Sequence, residues 1–315
     1  MKLKINILFI ILCCYFFSTT STSFAQQLPQ YTQWSSHQFS INPAHAGIKN
    51  CLDVHSLFRT QWLGFDGAPR SGFLTIAAPI NGVRKHAYSP RHGVGAKIET
   101  DKIGPFSSLR LNLAYAAHFN FTADNRLSLG LSGGIVQFGY SPQNAVTIQP
   151  DPTVMRESNF IKPDATFGAW WNGKNYYFGL VFQNLIGSKW NNIGDDSKFR
   201  FHTILNGGYR YSIHEKLTFL PAFIMRIPPA GPMSLDLNLS FDYMNQVGFG
   251  IGYRNTDAFL FMAHCKVKSQ LTINYSFDFI TSAMRPKTFH THEVSLIFST
   301  CKPQDLRATK CSLFE

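Results

Sequence analysis

Apolar and polar residues alternate along most of this chain with a period of two, the spacing of a strand whose two faces meet different surroundings. Over residues 109–121 one face carries Leu109, Leu111, Leu113, Tyr115, Ala117 and Phe119. The other carries Arg110, Asn112, Ala114, Ala116, His118 and Asn120. Residues 233–244 set Met233, Leu235, Leu237, Leu239, Phe241 and Tyr243 against Ser234, Asp236, Asn238, Ser240 and Asp242. Residues 270–280 repeat the arrangement, with Leu271, Ile273, Tyr275, Phe277 and Phe279 opposite Thr272, Asn274, Ser276 and Asp278. No long stretch repeats at 3.6 residues, so little helix is expected.

Several of these segments run ten to fourteen residues, whereas strands of soluble proteins peak near about 5–6. A strand that crosses a bilayer needs about 9–11 residues, tilted, with one face toward lipid and the other toward a lumen. Segment length therefore predicts an all-β fold, a transmembrane antiparallel β-barrel. Fourteen strands are expected, starting near residues 52, 72, 92, 106, 126, 164, 175, 199, 216, 233, 246, 258, 270 and 290. Tight turns at 122–125, 172–174, 214–216, 245–246 and 268–270 alternate with links at 101–105, 140–163, 184–198, 228–232, 255–257 and 281–289. Short turns on one rim and longer loops on the other are the pattern of an outer-membrane barrel, whose short turns face the periplasm. The connection at 80–91 is long and falls on the short-turn side. A strand miscounted there gives twelve or sixteen.

Residues 1–25 read as a signal peptide: Lys2 and Lys4, an apolar run from Ile5 to Phe17, then small residues to Ala25. That leaves a 26–50 segment in the periplasm or the lumen, a barrel over 51–300, and a periplasmic tail over 301–315. The 26–50 segment is expected to plug part of the polar lumen. The formal charge of +11 includes the two leader lysines. In an exported chain a basic balance points to outer-membrane lipid or an acidic partner, and no aromatic-flanked basic cluster supports nucleic acid.

Candidate chemistry is sparse. Lys97, Glu99, Arg110, Arg200, Arg210, Arg226, Asp236, Asp242, Arg254 and Asp278 are expected in the lumen, where charges cross-link strands, line a polar channel or hold a plug. Gly248, Gly250 and Gly252 share one inward face, a strip that either admits a close neighbour or bends the wall. In "HTHE" (290–293), His290 and His292 share a strand face while Glu293 points away, so three metal ligands do not converge. No nucleophile elbow is present, no cofactor is expected, and the chain reads as no enzyme. Cys265 falls on the lipid face as a free thiol. Cys51 opens the first strand and Cys301 ends the last; closure brings those ends together, so a Cys51–Cys301 disulfide is expected.

One stretch breaks the alternation: "RTQWLGFDGAPR" (59–70) places Trp62 and Phe65 among turn-forming Gly64, Asp66, Gly67 and Pro69. The strand count sets it on the rim opposite the tight turns. Packing into the barrel mouth against the amino-terminal segment would keep both aromatics from water. The other reading is presentation to a partner.

Together "QQLPQYTQWSSHQFSINPAHAG" (26–47), "RTQWLGFDGAPR", "ETDKIGP" (99–105), "MSLDLNLSFDYM" (233–244), "GIGYRNTDA" (250–258) and "FHTHEVSL" (289–296) resemble the PorP/SprF family of type IX secretion outer-membrane proteins. "VRKHAYSPRH" (83–92) and the tail after residue 300 depart from it. The resemblance implies a non-enzymatic barrel serving protein export, often linked to gliding motility. The implied partners are periplasmic type IX secretion components, or the carboxy-terminal domain of a secreted adhesin. The residues expected to dock a partner or latch the structure are Arg59, Trp62, Phe65, Asp66 and Arg70, with Asn42 and Pro43 fixing the amino-terminal segment. The alternative is a small-molecule transporter or channel with that segment as its plug.

Overall fold

A computed structural model describes residues 28–80, 89–122, 124–142, 158–187, 189–190, 197–198, 200–229, 231–282, 288 and 290–301. The expected signal peptide, most of the 83–92 stretch and the tail beyond Cys301 lie outside the described residues. The strands are β1 (Asp53–Thr60), β2 (Arg70–Ile80), β3 (Arg91–Ile103), β4 (Phe106–Asn120), β5 (Arg126–Tyr140) and β6 (Ser158–Asn172). They continue with β7 (Tyr176–Gln183), β8 (Lys189–Trp190), β9 (Ser197–Lys198), β10 (His202–Tyr209), β11 (Tyr211–His214) and β12 (Leu217–Ile227). The last are β13 (Ser234–Tyr243), β14 (Val247–Arg254), β15 (Ala258–Lys268), β16 (Leu271–Ile280) and β17 (Thr291–Ser299).

Each long strand pairs antiparallel with its sequence neighbour, and the ring closes where β1 meets β17, from Asp53↔Ser299 to Thr60↔His292. β10 bridges β7 to β12; β11 continues β10 past Arg210 and pairs only with β12. The two-residue β8–β9 ladder stands apart from the main sheet. The closed ring therefore has fourteen strands. Among the described residues closure pairs the ring strands on both sides over most of their length, as lipid could not satisfy an open edge.

The alternation sorts side chains by solvent. Leu113 is 72% exposed and Phe249 69%, and Leu131, Ile251 and Phe261 share that outer surface. A continuous apolar belt of this size faces lipid. Its Tyr209, Tyr211 and Tyr243 lie at the rim holding the chain ends, and Tyr253 at the far rim. The interior is inverted: Asn112, Asp164, Asn206, Asp236, Asn274, Asp278 and Glu293 are buried. Cys51 and Cys301 form a disulfide at the chain-end rim, with Cα atoms 5.1 Å apart, and Cys265 is free and exposed.

One expectation about the wall is corrected and one is met. β6 begins at Ser158, six residues before the expected start at 164. Its first half pairs with β5 but not β7, whose ladder begins only at Phe167↔Phe182. Pro163 thus sits where no neighbour needs its missing N–H, which is where a strand tolerates proline. β2 reaches Ile80, β3 begins at Arg91, and the two pair directly with each other, so the ring formed by the described residues has the expected fourteen strands.

Candidate functional site: the occupied lumen

The described chain begins at the far mouth, where Ser234 Oγ donates to Gln30 Oε1 at 3.3 Å. From there residues 28–50 cross the lumen to the chain-end rim, through 3-10 turns at Trp34–Ser36, Gln38–Ser40 and Pro43–His45. The last turn starts where Asn42 Oδ1 accepts from Ala44 N at 2.9 Å and Pro43 takes the first helical position. Proline suits that place because its absent N–H would have no partner there. Asn42 Nδ2 also donates to Ala169 O at 3.0 Å, tying the turn to β6.

A charged clamp holds the upper part of the segment. Glu293 accepts from Thr32 N through one oxygen and from Gln33 N through the other, both at 2.9 Å. Arg59 pairs with Asp278 at 2.8 Å and Glu293 at 3.1 Å, and it donates to Thr32 Oγ1 at 2.9 Å. Thr32 Oγ1 donates in turn to Asp278 at 2.8 Å. Arg254 grips Asp236 with two bonds of 3.0 Å, and Arg226 reaches the same carboxylate at 3.1 Å. Three arginines thus face three carboxylates with no excess charge. The full desolvation cost of such buried ions appears only when one partner is removed.

Packing holds the rest. Trp34, fully buried, lies against Val181, Ile204 and Ile224. His37 Nδ1 lies 2.8 Å from Ser40 Oγ, whose proton goes to His37 O. Nδ1 is therefore the donor, and the ring is neutral with Nε2 unpartnered beside Phe73. Burial holds the His37 pKa down to about 3, with nearby His55 adding to the effect. On the opposite wall the backbone touches the sheet. A Cβ on Gly130 would overlap the Ala44 backbone, and one on Gly168 would overlap the Asn42 side chain. Ala114 and Ala116 of β4, between them and β3, keep that wall low around Ala46. His118 Nε2 donates to Ala46 O at 3.0 Å while Ser128 Oγ donates to Nδ1 at 2.7 Å.

The sequence-nominated residues divide into three groups. Asn42, Pro43 and Arg59 are buried with the segment in the lumen. Trp62 has a φ of 48°, which turns its ring inward against Ala258, Leu260 and Ile280. Phe65, Asp66 and Arg70 stay exposed on the far rim. Of the two aromatics read as packing into the mouth or facing a partner, Trp62 packs inward on the barrel wall and Phe65 is exposed. Arg210, half-buried between the exposed Tyr209 and Tyr211, donates to Asn245 at the chain-end rim, 3.1 Å away. The Gly248–Gly252 strip is covered by its own neighbours: an added Cβ would meet His264, Ser240 or Asn238, not the segment. Reasoning from sequence missed Gly130 and Gly168 as the seat and Glu293 as the clamp. Their inward position on alternating strands was the available signal.

Between the segment and the far mouth lies a cavity of about 580 Å3. Among the described residues no cluster of His, Cys, Asp and Glu suits a metal ion.

A closed barrel with a lipid-facing belt and a lumen occupied by its own leading segment is an outer-membrane β-barrel protein. The chain belongs to the PorP/SprF family: the model described as "Type IX secretion system membrane protein PorP/SprF" matches residues 23–298. No curated protein matches it. Among solved structures it is similar to the Ralstonia pickettii toluene transporter TbuX, at 7% identity and a TM-score of 0.47, over 82% of this chain and 90% of that one. The CymD monoaromatic hydrocarbon channel follows at 8% identity and 0.48, over 85% and 94%. A Pseudomonas aeruginosa FadL homologue stands at 11% and 0.43, over 86% and 93%.

Proposed function

We propose that this type IX secretion component is non-enzymatic and works by docking protein partners at its rims, with the barrel as a membrane-held platform. The observation that carries this reading is the lumen, threaded from mouth to rim by residues 28–50 and tied down by buried charge and packing. A path filled in this way favours work at the surfaces over conduction. The far-rim hairpin supports it: Trp62 anchors the loop while Leu63 and Phe65, 45% and 41% exposed, face outward beside Asp66 and Arg70. Aromatic and arginine side chains are common interface anchors. With short turns toward the periplasm, the hairpin faces the cell exterior and meets the carboxy-terminal domain of a secreted adhesin. The chain-end rim meets periplasmic components of the machine.

Affinity purification from the native outer membrane tests this. The wild type is expected to bring down a secreted protein or machine components. A Phe65→Ala, Asp66→Ala, Arg70→Ala variant should assemble normally and lose the secreted partner. Recovery as a lone barrel, or a variant that keeps every partner, would contradict the proposal.

A further inference from the structure

The cavity at the far mouth has an uneven charge lining. Arg59, Lys97, Arg110, Arg226 and Arg254 line it. The carboxylates that balance three of them, Asp236, Asp278 and Glu293, are at most 1% exposed and stand behind the lining. Of the acids on the surface, Glu99 is held by Lys97 at 3.1 Å and Tyr31 at 3.2 Å, and Asp101 by Ser71 at 2.6 Å. Asp257 sits at the outer edge, 36% exposed. The cavity therefore presents cations, with their counter-charges behind the wall.

Two of these have spare donors: Arg110, which reaches Asp164 and Glu99 only at 3.4 and 3.8 Å, and, beside the apolar part of the lining, Arg226. Its side chain is 12% exposed, and its contacts among the described residues are to Asp236 through one terminal nitrogen. A guanidinium carries five N–H donors, so most of its fork remains available. Its cross-strand partner is Ile204, and Ile41, Trp62 and Met233 add apolar surface to the same cavity. A charged fork at the wall of an apolar-sided cavity fits an anion with a hydrocarbon body. The volume of about 580 Å3 lies within the ordinary range for small-molecule sites.

We infer that this cavity binds a small amphipathic monocarboxylate, its carboxylate on the free N–H groups of Arg226 and its apolar body along Ile41 and Ile204. A planar carboxylate matches the arginine fork by two parallel hydrogen bonds, which a neutral amide cannot reproduce.

The test is isothermal titration of the full-length protein in a nonionic detergent with hexanoate, and with hexanamide as the neutral probe of equal length. Saturable hexanoate binding is expected, about ten- to a hundred-fold tighter than hexanamide, the range of a charged hydrogen bond. Arg226→Gln should bring hexanoate down to the hexanamide level, and Arg226→Lys should recover part of the difference. Absent hexanoate binding, equal heats for the two probes, or unchanged binding in folded Arg226→Gln would each overturn the assignment. If Arg226→Gln fails to assemble, the two probes on the wild type decide alone.

Discussion

Replacing Arg59 with Met should unseat the upper part of the lumenal segment while leaving the barrel intact. Arg59 is 2% exposed and is the cation closest to both Asp278 and Glu293. Without it Asp278 keeps Arg254 at 3.5 Å. Glu293 keeps only the Thr32 and Gln33 amides and the small dipoles around them. Stranding one member of a buried pair costs about 3–5 kcal/mol. If that cost falls on the docked state of the segment, opening becomes roughly a hundred- to a few thousand-fold more frequent, at about 1.4 kcal/mol per decade. Hydrogen exchange reads this directly, because the Thr32 and Gln33 amides bond to Glu293 itself. Their protection should fall by that factor while amides of β4 and β5 stay protected. Arg59→Met with Glu293→Gln removes both charges and should restore part of the loss. Unchanged protection in Arg59→Met, or a double variant no better than the single one, would refute the clamp.

Three further outcomes follow from the same geometry. Gly168→Leu and Gly130→Val place atoms where Asn42 and Ala44 lie, so a cysteine introduced at Ala44 should become reactive to a soluble thiol reagent. Gly133→Ala meets nothing within 4 Å and should leave that reactivity unchanged. The folded His37 pKa of about 3 lies below the usual value of 6.5. Its contribution is therefore complete above pH 6.5 and is lost as pH falls toward 3, by roughly 4–5 kcal/mol in all. Protease access to residues 28–50 should rise over that window in the wild type and less steeply in His37→Phe. Cys51 and Cys301 close a loop with a sequence separation of 250, and loop entropy sets the stabilisation at about 5 kcal/mol as an upper figure. Reduction should slow the unfolded protein on a gel without opening the assembled barrel, because the β1–β17 ladder persists. Equal mobility with and without reductant would contradict the bond.

The wall was legible because each membrane strand states its own two-faced environment in local alternation. Residues 109–121 and 233–244 need no knowledge of the rest of the chain to declare a lipid side. The early start of β6 was not legible, because the strand carries Pro163, which a strand tolerates only where a neighbour is missing, and that gap is a property of β7. That the 26–50 segment enters the lumen was expected, but which inward residues it touches was not legible. Alternation puts both Gly130 and Gly250 inside, yet only the three-dimensional path of residues 28–50 gives the first a close neighbour and the second none. The clamp failed to appear for the same reason: Arg59 and Glu293 are 234 positions apart. Trp62 and Phe65 look equivalent in sequence, and the positive φ at Trp62 separates them.

Planar-bilayer recording, comparing the full chain with one lacking residues 28–50, tests the central claim most directly. A barrel closed by its own segment should show little conductance as the full chain and a large, steady conductance without the segment. Equal, large conductance from both would mean that residues 28–50 do not close the lumen, and would favour the alternative reading, a small-molecule channel.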